Sequence, residues 1–278
     1  MRNILAANFR RLWKSKLFWL LEISSVLFST IAYVLVGINV KNLGSHWILK
    51  NANFYFFLVG LYVGILDAIF STLFFGTEYS DGTLRNKLSI GHSRKEIYFS
   101  NLILNTVVAI LFIVTHYMAA IVVGVPLGGA EVVTVIEQMG LKILYSMVIA
   151  LVYASVFTLT TLLGSNKASC AILNILIALF LLIAGFFLFS ALEQPELKYQ
   201  MIQQADGSYR MDESIPNPRY VGGNLRMGYT ILEWVMPAAF ALRITSGGFT
   251  VCHTIGCILL SILLTAAGIT LFQKKDIR

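Results

Sequence analysis

Four polar side chains interrupt long apolar stretches of this sequence and are the first candidates for chemistry: Glu22, Asp67, Asn105 and His116. An acid near the centre of a bilayer costs roughly 2.5–3.5 kcal/mol on insertion scales, so Asp67 is by default a functional candidate. At 1.5 Å per helical residue, Asp67 lies about 14 Å from the inner end of its span, and Asn105 lies at a similar depth. Two interpretations stay open for Asp67: a hydrogen bond that packs helices together, or a protonatable or substrate-facing group.

The other two polar residues lie at different depths. Glu22 is about one turn from the inner end of its helix, where it can reach headgroups or water, and His116 lies toward the outer leaflet. A membrane enzyme needs a cluster of polar groups at one depth. The spread over three levels therefore argues against catalysis by this chain.

The motif search finds no nucleotide or hydrolase chemistry. The sequence contains no G-x-x-x-x-G-K-[ST], no G-x-S-x-G, no H-E-x-x-H and no S-x-x-K. Its cysteines, Cys170, Cys252 and Cys257, lie in apolar runs without the spacing of a disulfide framework or a zinc site. We expect no catalytic residue and no metal site, and if ATP drives the protein, another chain binds the ATP.

The composition is that of a membrane protein. The 278 residues are 57% hydrophobic and 13% charged, whereas a soluble domain carries roughly 25% charged residues. The net charge of +7 follows from Lys and Arg on one set of loops, so it predicts no nucleic-acid partner.

Six apolar stretches are long enough to cross a bilayer, which takes roughly 20 helical residues. They are Phe18–Ile38, Phe54–Gly76, Tyr98–Val125, Met139–Leu163, Ser169–Leu192 and Thr250–Phe272. Basic residues cluster at the termini and between spans two and three. The positive-inside rule therefore predicts cytoplasmic termini in a multi-pass cell-membrane protein.

An amphipathic helix is predicted at the N-terminus, over residues 2–16 of a segment 1–17. Its apolar face contains Phe9, Leu12 and Trp13 together with Leu5, and its polar face contains Arg10, Arg11 and Lys14. Such a helix lies flat at the headgroups. It is either an anchor or an elbow that a cytosolic partner can push.

The loop 77–97 between spans two and three is predicted to hold a short cytoplasmic helix. Leu84 and Leu88 are spaced i,i+4, with glycines before and after them. Ser93-x-x-Glu96 matches a capping box, so the third long helix begins before the bilayer. The alternative is a solvated, lipid-binding basic loop.

The segment 193–249 is predicted to lie outside the cell. Asp206-Gly207 indicates a hairpin, and helical spacing runs from Asn224 to Val235 and ends at Pro237. Its role is either a lid over an exit path or structural packing. In the second span, Gly60-x-x-x-Gly64 permits close contact with an unidentified helix.

In this order of elements the chain resembles a bacterial permease of the type 2 ABC transporter family over essentially its whole length. The elbow reads "NILAANFRRLWKSKLFW", the loop reads "GTEYSDGTLRNKLSIGHSRKEIYFSN", and the last span ends in "FQKKDIR". The loop is the specific part, because it is similar to the family's cytoplasmic coupling segment. The resemblance implies one all-α integral membrane domain, 1–278, with six transmembrane helices.

The resemblance also implies partners. Such permeases pair with a second permease, as homo- or heterodimers, and bind two cytosolic ATPase subunits that hold ATP and Mg. Residues matching the coupling segment are Glu78, Asp81, Gly82, Thr83, Leu84, Arg85 and Arg94, and accessory elbow residues are Phe9, Arg10, Arg11 and Trp13.

The substrate implied by the resemblance is hydrophobic or amphipathic, with an antimicrobial peptide or drug as the specific expectation, and the direction is export. Two alternatives stay open. A proton-coupled carrier would use Asp67 as its proton site, and a non-transporting sensor or immunity subunit would bind a peptide through residues 193–249.

Overall fold

The computed structural model describes residues 1–43, 54–56, 58–128, 140–164, 166–203, 209–248 and 250–276. The helices are α1 (Arg2–Trp13), α2 (Lys16–Leu43), α3 (Val59–Ser80), α4 (Thr83–Ser89), α5 (Arg94–Ala119), α6 (Gly140–Leu163), α7 (Lys167–Leu192), α8 (Gly223–Val235), α9 (Pro237–Ser246) and α10 (Val251–Lys274), with strands β1 (Leu197–Gln203) and β2 (Tyr209–Pro216) between α7 and α8.

Six of these helices, α2, α3, α5, α6, α7 and α10, are long and apolar enough to cross a membrane. The predicted all-α membrane fold with six spans is therefore confirmed. The helices differ in burial: 65%, 50% and 56% of the apolar stretches of α3, α5 and α6 are buried, against 33%, 22% and 22% for α2, α7 and α10. The first three form the centre of the bundle and the other three lie around it.

The peripheral helices present large apolar side chains outward. Leu20 on α2, Phe180 on α7 and Leu263 on α10 are all more than half exposed. A continuous apolar surface of this kind is unfavourable in water, so lipid or another apolar protein surface covers it.

The central helices approach closely at the two glycines of the Gly60-x-x-x-Gly64 pattern. A Cβ atom at Gly64 would lie 2.5 Å from Cε1 of Tyr153 on α6, and one at Gly60 would lie 2.7 Å from Cβ of Ala241 on α9. The structure thus identifies the helices that the pattern brings together.

The third span is longer than predicted. After α5 the chain continues through a π-helical turn, Ala120–Gly124, into a last α-helical turn, Val125–Gly128. Pro126 lies inside this last turn. Because proline cannot donate a backbone hydrogen bond, a local change in winding next to it lets the helix continue.

At the end of the bundle opposite α1, β1 and β2 pair antiparallel, and the predicted Asp206-Gly207 turn between them lies outside the described residues. Helix α8 occupies the predicted range 224–235 and ends before Pro237, at the extended residue Met236. A helix that the sequence did not predict, α9, begins at Pro237, with the proline at a first-turn position, where its missing N–H costs nothing. Ala238 to Ala241 are fully buried, so α9 packs inside the bundle.

Candidate functional site

Helix α1 packs against the start of α5. Its buried face consists of Ile4, Asn8 and Leu12, which differs from the predicted apolar face. Trp13 is 52% exposed and contacts the rings of Phe18 and Trp19. Protein contacts, rather than lipid alone, therefore determine how α1 is rotated.

Four side chains from three helices form an ion cluster beneath α1, consisting of Asn8, Arg11, Glu78 and Lys87. Glu78 is fully buried, and its Oε1 accepts from Arg11 Nη1 at 2.7 Å and from Lys87 Nζ at 2.7 Å. Arg11 also donates from Nη2 to the carbonyl oxygen of Phe74 at 2.8 Å, and its guanidinium lies 3.9 Å from the centre of that ring. Arg11 therefore points into the protein, whereas the sequence predicted it on the polar face.

Asn8 connects the ion cluster to α5. Its Nδ2 donates to Ser100 Oγ and to Asn101 Oδ1, both at 2.9 Å, while its Oδ1 accepts from Lys87 Nζ at 3.2 Å. Burial lowers the pKa of Lys87, and the adjacent Glu78 carboxylate opposes that shift. Helices α1, α3 and α4 are thus joined by charged hydrogen bonds, and neutral hydrogen bonds of Asn8 extend this network to α5.

The ion cluster supports a turn with an exposed tip. Gly82 adopts φ 66° at the start of α4, a left-handed conformation that favours glycine. Leu84 is buried against α5, whereas Asp81 and Arg85 are exposed and Thr83 is half-buried. Ile90, after α4, is 77% exposed. The turn thus has an inner face that is fixed to the bundle and an outer face that is open to a partner.

The predicted coupling residues therefore divide into two groups. Glu78 and Leu84 face the interior, and Arg94 donates to the backbone carbonyls of Phe272 and Lys275 at the end of α10. These residues hold the turn in place, and their side chains offer little surface to another protein. Asp81 and Arg85, with Arg10 on α1, are at the surface.

The start of α5 has the predicted capping box. Ser93 Oγ accepts from the Glu96 N–H, and Glu96 Oε2 accepts from the Ser93 N–H, both at 3.2 Å. Glu96 Oε1 also accepts from the ammonium group of Met1 at 2.8 Å. The hydrogen bond to the ammonium and that to the backbone lower the pKa of Glu96. The first residue of the chain is thereby fixed to the same loop.

Sequence reasoning missed Asn8, Lys87 and Ile90. Asn8 lies midway between Ile4 and Leu12, four residues from each. Its position as a polar residue within an apolar stripe was the signal that could have identified it. Lys87 follows Leu84 by three residues and shares its inner face. Ile90 carried no pattern, because a lone apolar residue in a turn has no periodicity.

Within the membrane spans, Asp67 and Asn105 are adjacent, as predicted. Asn105 Nδ2 lies 3.4 Å from Asp67 Oδ2 and also within 3.3 Å of Thr158 Oγ1 and the carbonyl oxygen of Ala154. Both residues are fully buried, and Asp67 Oδ1 has no hydrogen-bond partner among the described residues. Asp67 thus joins α3 to α5 and α6 through an amide, without an ion pair in the described part of the chain.

His116 lies in a polar cluster that the sequence did not predict. Its Nδ1 is 2.9 Å from Ser29 Oγ and 3.2 Å from Tyr62 Oη, and its Nε2 is 3.0 Å from Tyr33 Oη and 3.1 Å from the carbonyl oxygen of Tyr55. Since a carbonyl only accepts, the Tyr55 contact favours a proton on Nε2, and the hydroxyls of Ser29 and Tyr62 both face Nδ1.

Ser29 Oγ also lies 2.7 Å from the carbonyl oxygen of Ser25, to which it donates. The cluster therefore joins α2, α3 and α5 through hydroxyl groups and one imidazole. Glu22, predicted to reach headgroups, is only 8% exposed, because it shares the inward face of α2 with Ser25 and Ser29. No group of three or more His, Cys, Asp or Glu side chains among the described residues has metal-binding geometry.

At the opposite end, a second cluster, the outer cluster, consists of Glu193, Glu233, Arg243 and His253. Arg243 Nε donates to Glu233 Oε1 at 2.7 Å, and Arg243 Nη1 donates to Glu193. His253 Nε2 lies 3.5 Å from Glu233 Oε2. These contacts join α7, α8, α9 and α10.

Comparison with known proteins identifies the family. The model of the ABC-2 family transporter proteins matches residues 4–185, which is more than half of the chain and covers nearly all of α1, the loop 77–97, the first four spans and most of the fifth. No curated protein matches the chain in a sequence comparison. The chain belongs to the ABC-2 transporter family and is a multi-pass membrane permease subunit of an ABC transporter.

Proposed function

We propose that this permease is the membrane subunit of an ATP-driven exporter in the bacterial cell membrane, with both termini and the loop 77–97 in the cytoplasm. The distribution of Lys and Arg supports this orientation, because basic residues gather at the end that carries α1. Membership of the family implies ABC ATPase partners. ATP and Mg bind in those ATPases, and this chain transmits the movement.

The observation that carries the proposal is the division of the loop into a buried base and an exposed tip. Asp81, Arg85 and Ile90 are all exposed and lie within ten residues of one another in the loop. They combine charge with a large apolar side chain, which suits a protein partner. Arg10 on α1 adds a further exposed contact on the same end.

The ion cluster supplies the route from the tip to the spans. Glu78 is on α3, Lys87 is on α4, and Asn8 on α1 binds Ser100 and Asn101 of α5. A force on α4 therefore acts on α3 and α5 together, because packed helices move as rigid elements between few arrangements.

The assembly that we propose contains two permeases and two ATPases, with a hydrophobic or amphipathic substrate such as an antimicrobial peptide or drug. The apolar outward faces of α2, α7 and α10 support pairing within the bilayer, since apolar protein surface or lipid must cover them. They also suit a path for a substrate with apolar groups.

Co-purification in detergent tests the proposal. Tagged wild-type protein is expected to retain an ABC ATPase, and an Arg85→Glu, Ile90→Asp variant is expected to lose at least about tenfold of it, because both changes lie on the exposed tip. Arg219→Glu is the matched control, since Arg219 is exposed near the opposite end. Retention of the ATPase by the tip variant, or its absence from folded wild type, would contradict the proposal.

A further inference from the structure

A cavity of about 460 Å³ opens between the turn from α1 to α2, the end of α3 and the start of α7. Three basic side chains, Arg11, Lys14 and Lys167, line it, and no acidic side chain among the described residues does. Leu73 and Phe74 of α3 form an apolar wall beside them. The cavity therefore combines a concentration of positive charge with a surface for hydrocarbon.

Of the three basic side chains of the cavity, only Arg11 is paired with an acid among the described residues, and that acid is Glu78. Lys14 and Lys167 form no ion pair in the described part of the chain. The stem of Lys167 is held over Gly76, where a Cβ would lie 3.2 Å from Lys167 Cγ. Packing thus holds the first part of this side chain beside the cavity.

Arg11 belongs both to the cavity and to the ion cluster. Two of the five N–H donors of a guanidinium are used by Glu78 and by the Phe74 carbonyl. The ion cluster contains two bases and one acid, Arg11, Lys87 and Glu78, so one positive charge is in excess. An anion in the cavity would reduce that excess.

The cavity lies where two membrane-spanning helices begin, which is the level that lipid headgroups would occupy. Span α2 begins at Lys16 and span α7 at Lys167, and the exposed rings of Trp13 and Trp19 are adjacent, as is typical of a membrane interface. A neighbouring groove, which Lys14 also borders, continues along the apolar side chains of Leu20 and Ile23 on α2. A ligand with a phosphate and an acyl chain fits both parts.

We propose that this cavity binds the headgroup of an anionic phospholipid, with its phosphate among Arg11, Lys14 and Lys167 and an acyl chain along α2. The leaflet is the one that holds α1, and it is the inner leaflet if the orientation under the proposed function is right. Basic pockets between spans on that side are typical sites for anionic lipids.

Native mass spectrometry of the purified permease, without ATPase, tests this site with phosphatidylglycerol and with phosphatidylcholine. Phosphatidylglycerol is expected to bind preferentially. A Lys14→Gln, Lys167→Gln variant is expected to bind it about tenfold or more weakly, because each basic residue near the headgroup adds to the attraction. A Lys95→Gln, Lys274→Gln variant removes the same charge from exposed positions at the same end and is expected to bind like wild type.

Equal lipid binding by the two variants would overturn the proposal, as would inorganic phosphate that displaces the lipid at similar concentration. ATPase retention is measured separately on the same variants. If the Lys14, Lys167 variant releases the ATPase but keeps the lipid, the cavity is a protein contact and the lipid site is wrong. Lipid binding with no ATPase in any preparation would support the lipid site while contradicting the proposed function.

Discussion

Each end of the bundle holds a largely buried charged side chain between two side chains of opposite charge, and the sign of the central charge differs between the two ends. In the ion cluster, one buried acid, Glu78, lies between two bases. In the outer cluster, one base, Arg243, lies between two acids, Glu193 and Glu233. Each central group would be costly to bury alone, and each is stabilised by two opposite charges.

The difference between the ends lies in what the clusters connect. The ion cluster joins α1 and α4, which lie outside the spans, to α3 and α5 in the bundle centre. The outer cluster joins α8 and α9 to the ends of peripheral helices α7 and α10. We infer that the first transmits movement and that the second holds α8 and α9 against the bundle.

The largest effect is expected from Glu78→Gln. The change leaves Arg11 and Lys87 without their carboxylate and costs about 3 kcal/mol of unfolding free energy, at the low end for a buried pair because Arg11 is 34% exposed. Thermal unfolding in detergent measures it, with Glu196→Gln on the exposed surface as control. An unfolding temperature equal to that of the control would contradict the role given to Glu78.

A second change sharpens this result. Lys87→Met added to Glu78→Gln returns the ion cluster from two excess positive charges to the one of wild type, and is expected to recover part of the stability. The double variant is expected to hold its ATPase without full stimulation of ATP turnover, since the link from α4 to α3 is gone. Full stimulation would exclude the ion cluster as the route.

Glu233→Gln is expected to cost less, about 1–2 kcal/mol, because Arg243 keeps Glu193 as a partner. ATP turnover in the assembled complex should stay at the wild-type level, since the outer cluster contacts neither α1 nor α4. Equal loss of turnover in Glu233→Gln and Glu78→Gln would remove the distinction between the two ends.

Asp67→Asn is expected to change stability by less than about 1 kcal/mol, because Asp67 contacts an amide and no ion pair is lost. ATP-driven transport should persist in this variant. Transport that is driven by a pH gradient alone and abolished by Asp67→Asn would instead support the proton-coupled carrier.

The smallest effect concerns pH and Glu96. Its pKa in the folded protein is lowered by the Met1 ammonium and the Ser93 N–H, so its contribution is complete above its unfolded value of about 4.3 and is lost as pH falls through the lower folded value. Chemical unfolding between about pH 6 and pH 3 should show a steeper loss in wild type than in Glu96→Gln. Parallel curves would contradict the assignment.

Much of the fold followed from local patterns. The six spans follow from the length of apolar runs, and the Ser93-x-x-Glu96 box follows from residue spacing, because both depend on neighbours in sequence. The inward faces of α1 and α2 did not follow. Asn8 and Glu22 are buried by contacts with helices distant in sequence, and no local pattern records which helices those are.

The candidate site was predicted only in part, because some of its contacts join residues that are distant in sequence. The loop residues Gly82 and Leu84 were found from a turn and an i,i+4 pair. The partners of Glu78 were not, since Arg11 is 67 positions away along the chain. Helix α9 was missed because a proline was taken as an end, although it is equally suited to a first turn.

Site-specific photo-crosslinking in cells is the most direct test of whether the exposed tip of the loop 77–97 contacts an ABC ATPase. It requires neither a stability measurement nor knowledge of the substrate. A photoreactive residue is placed at position 90, on the exposed tip of the loop, and for comparison at position 219, near the opposite end. We expect an adduct with an ABC ATPase from position 90 and none from position 219. An ATPase adduct from position 219, or from neither position in folded protein, would contradict it.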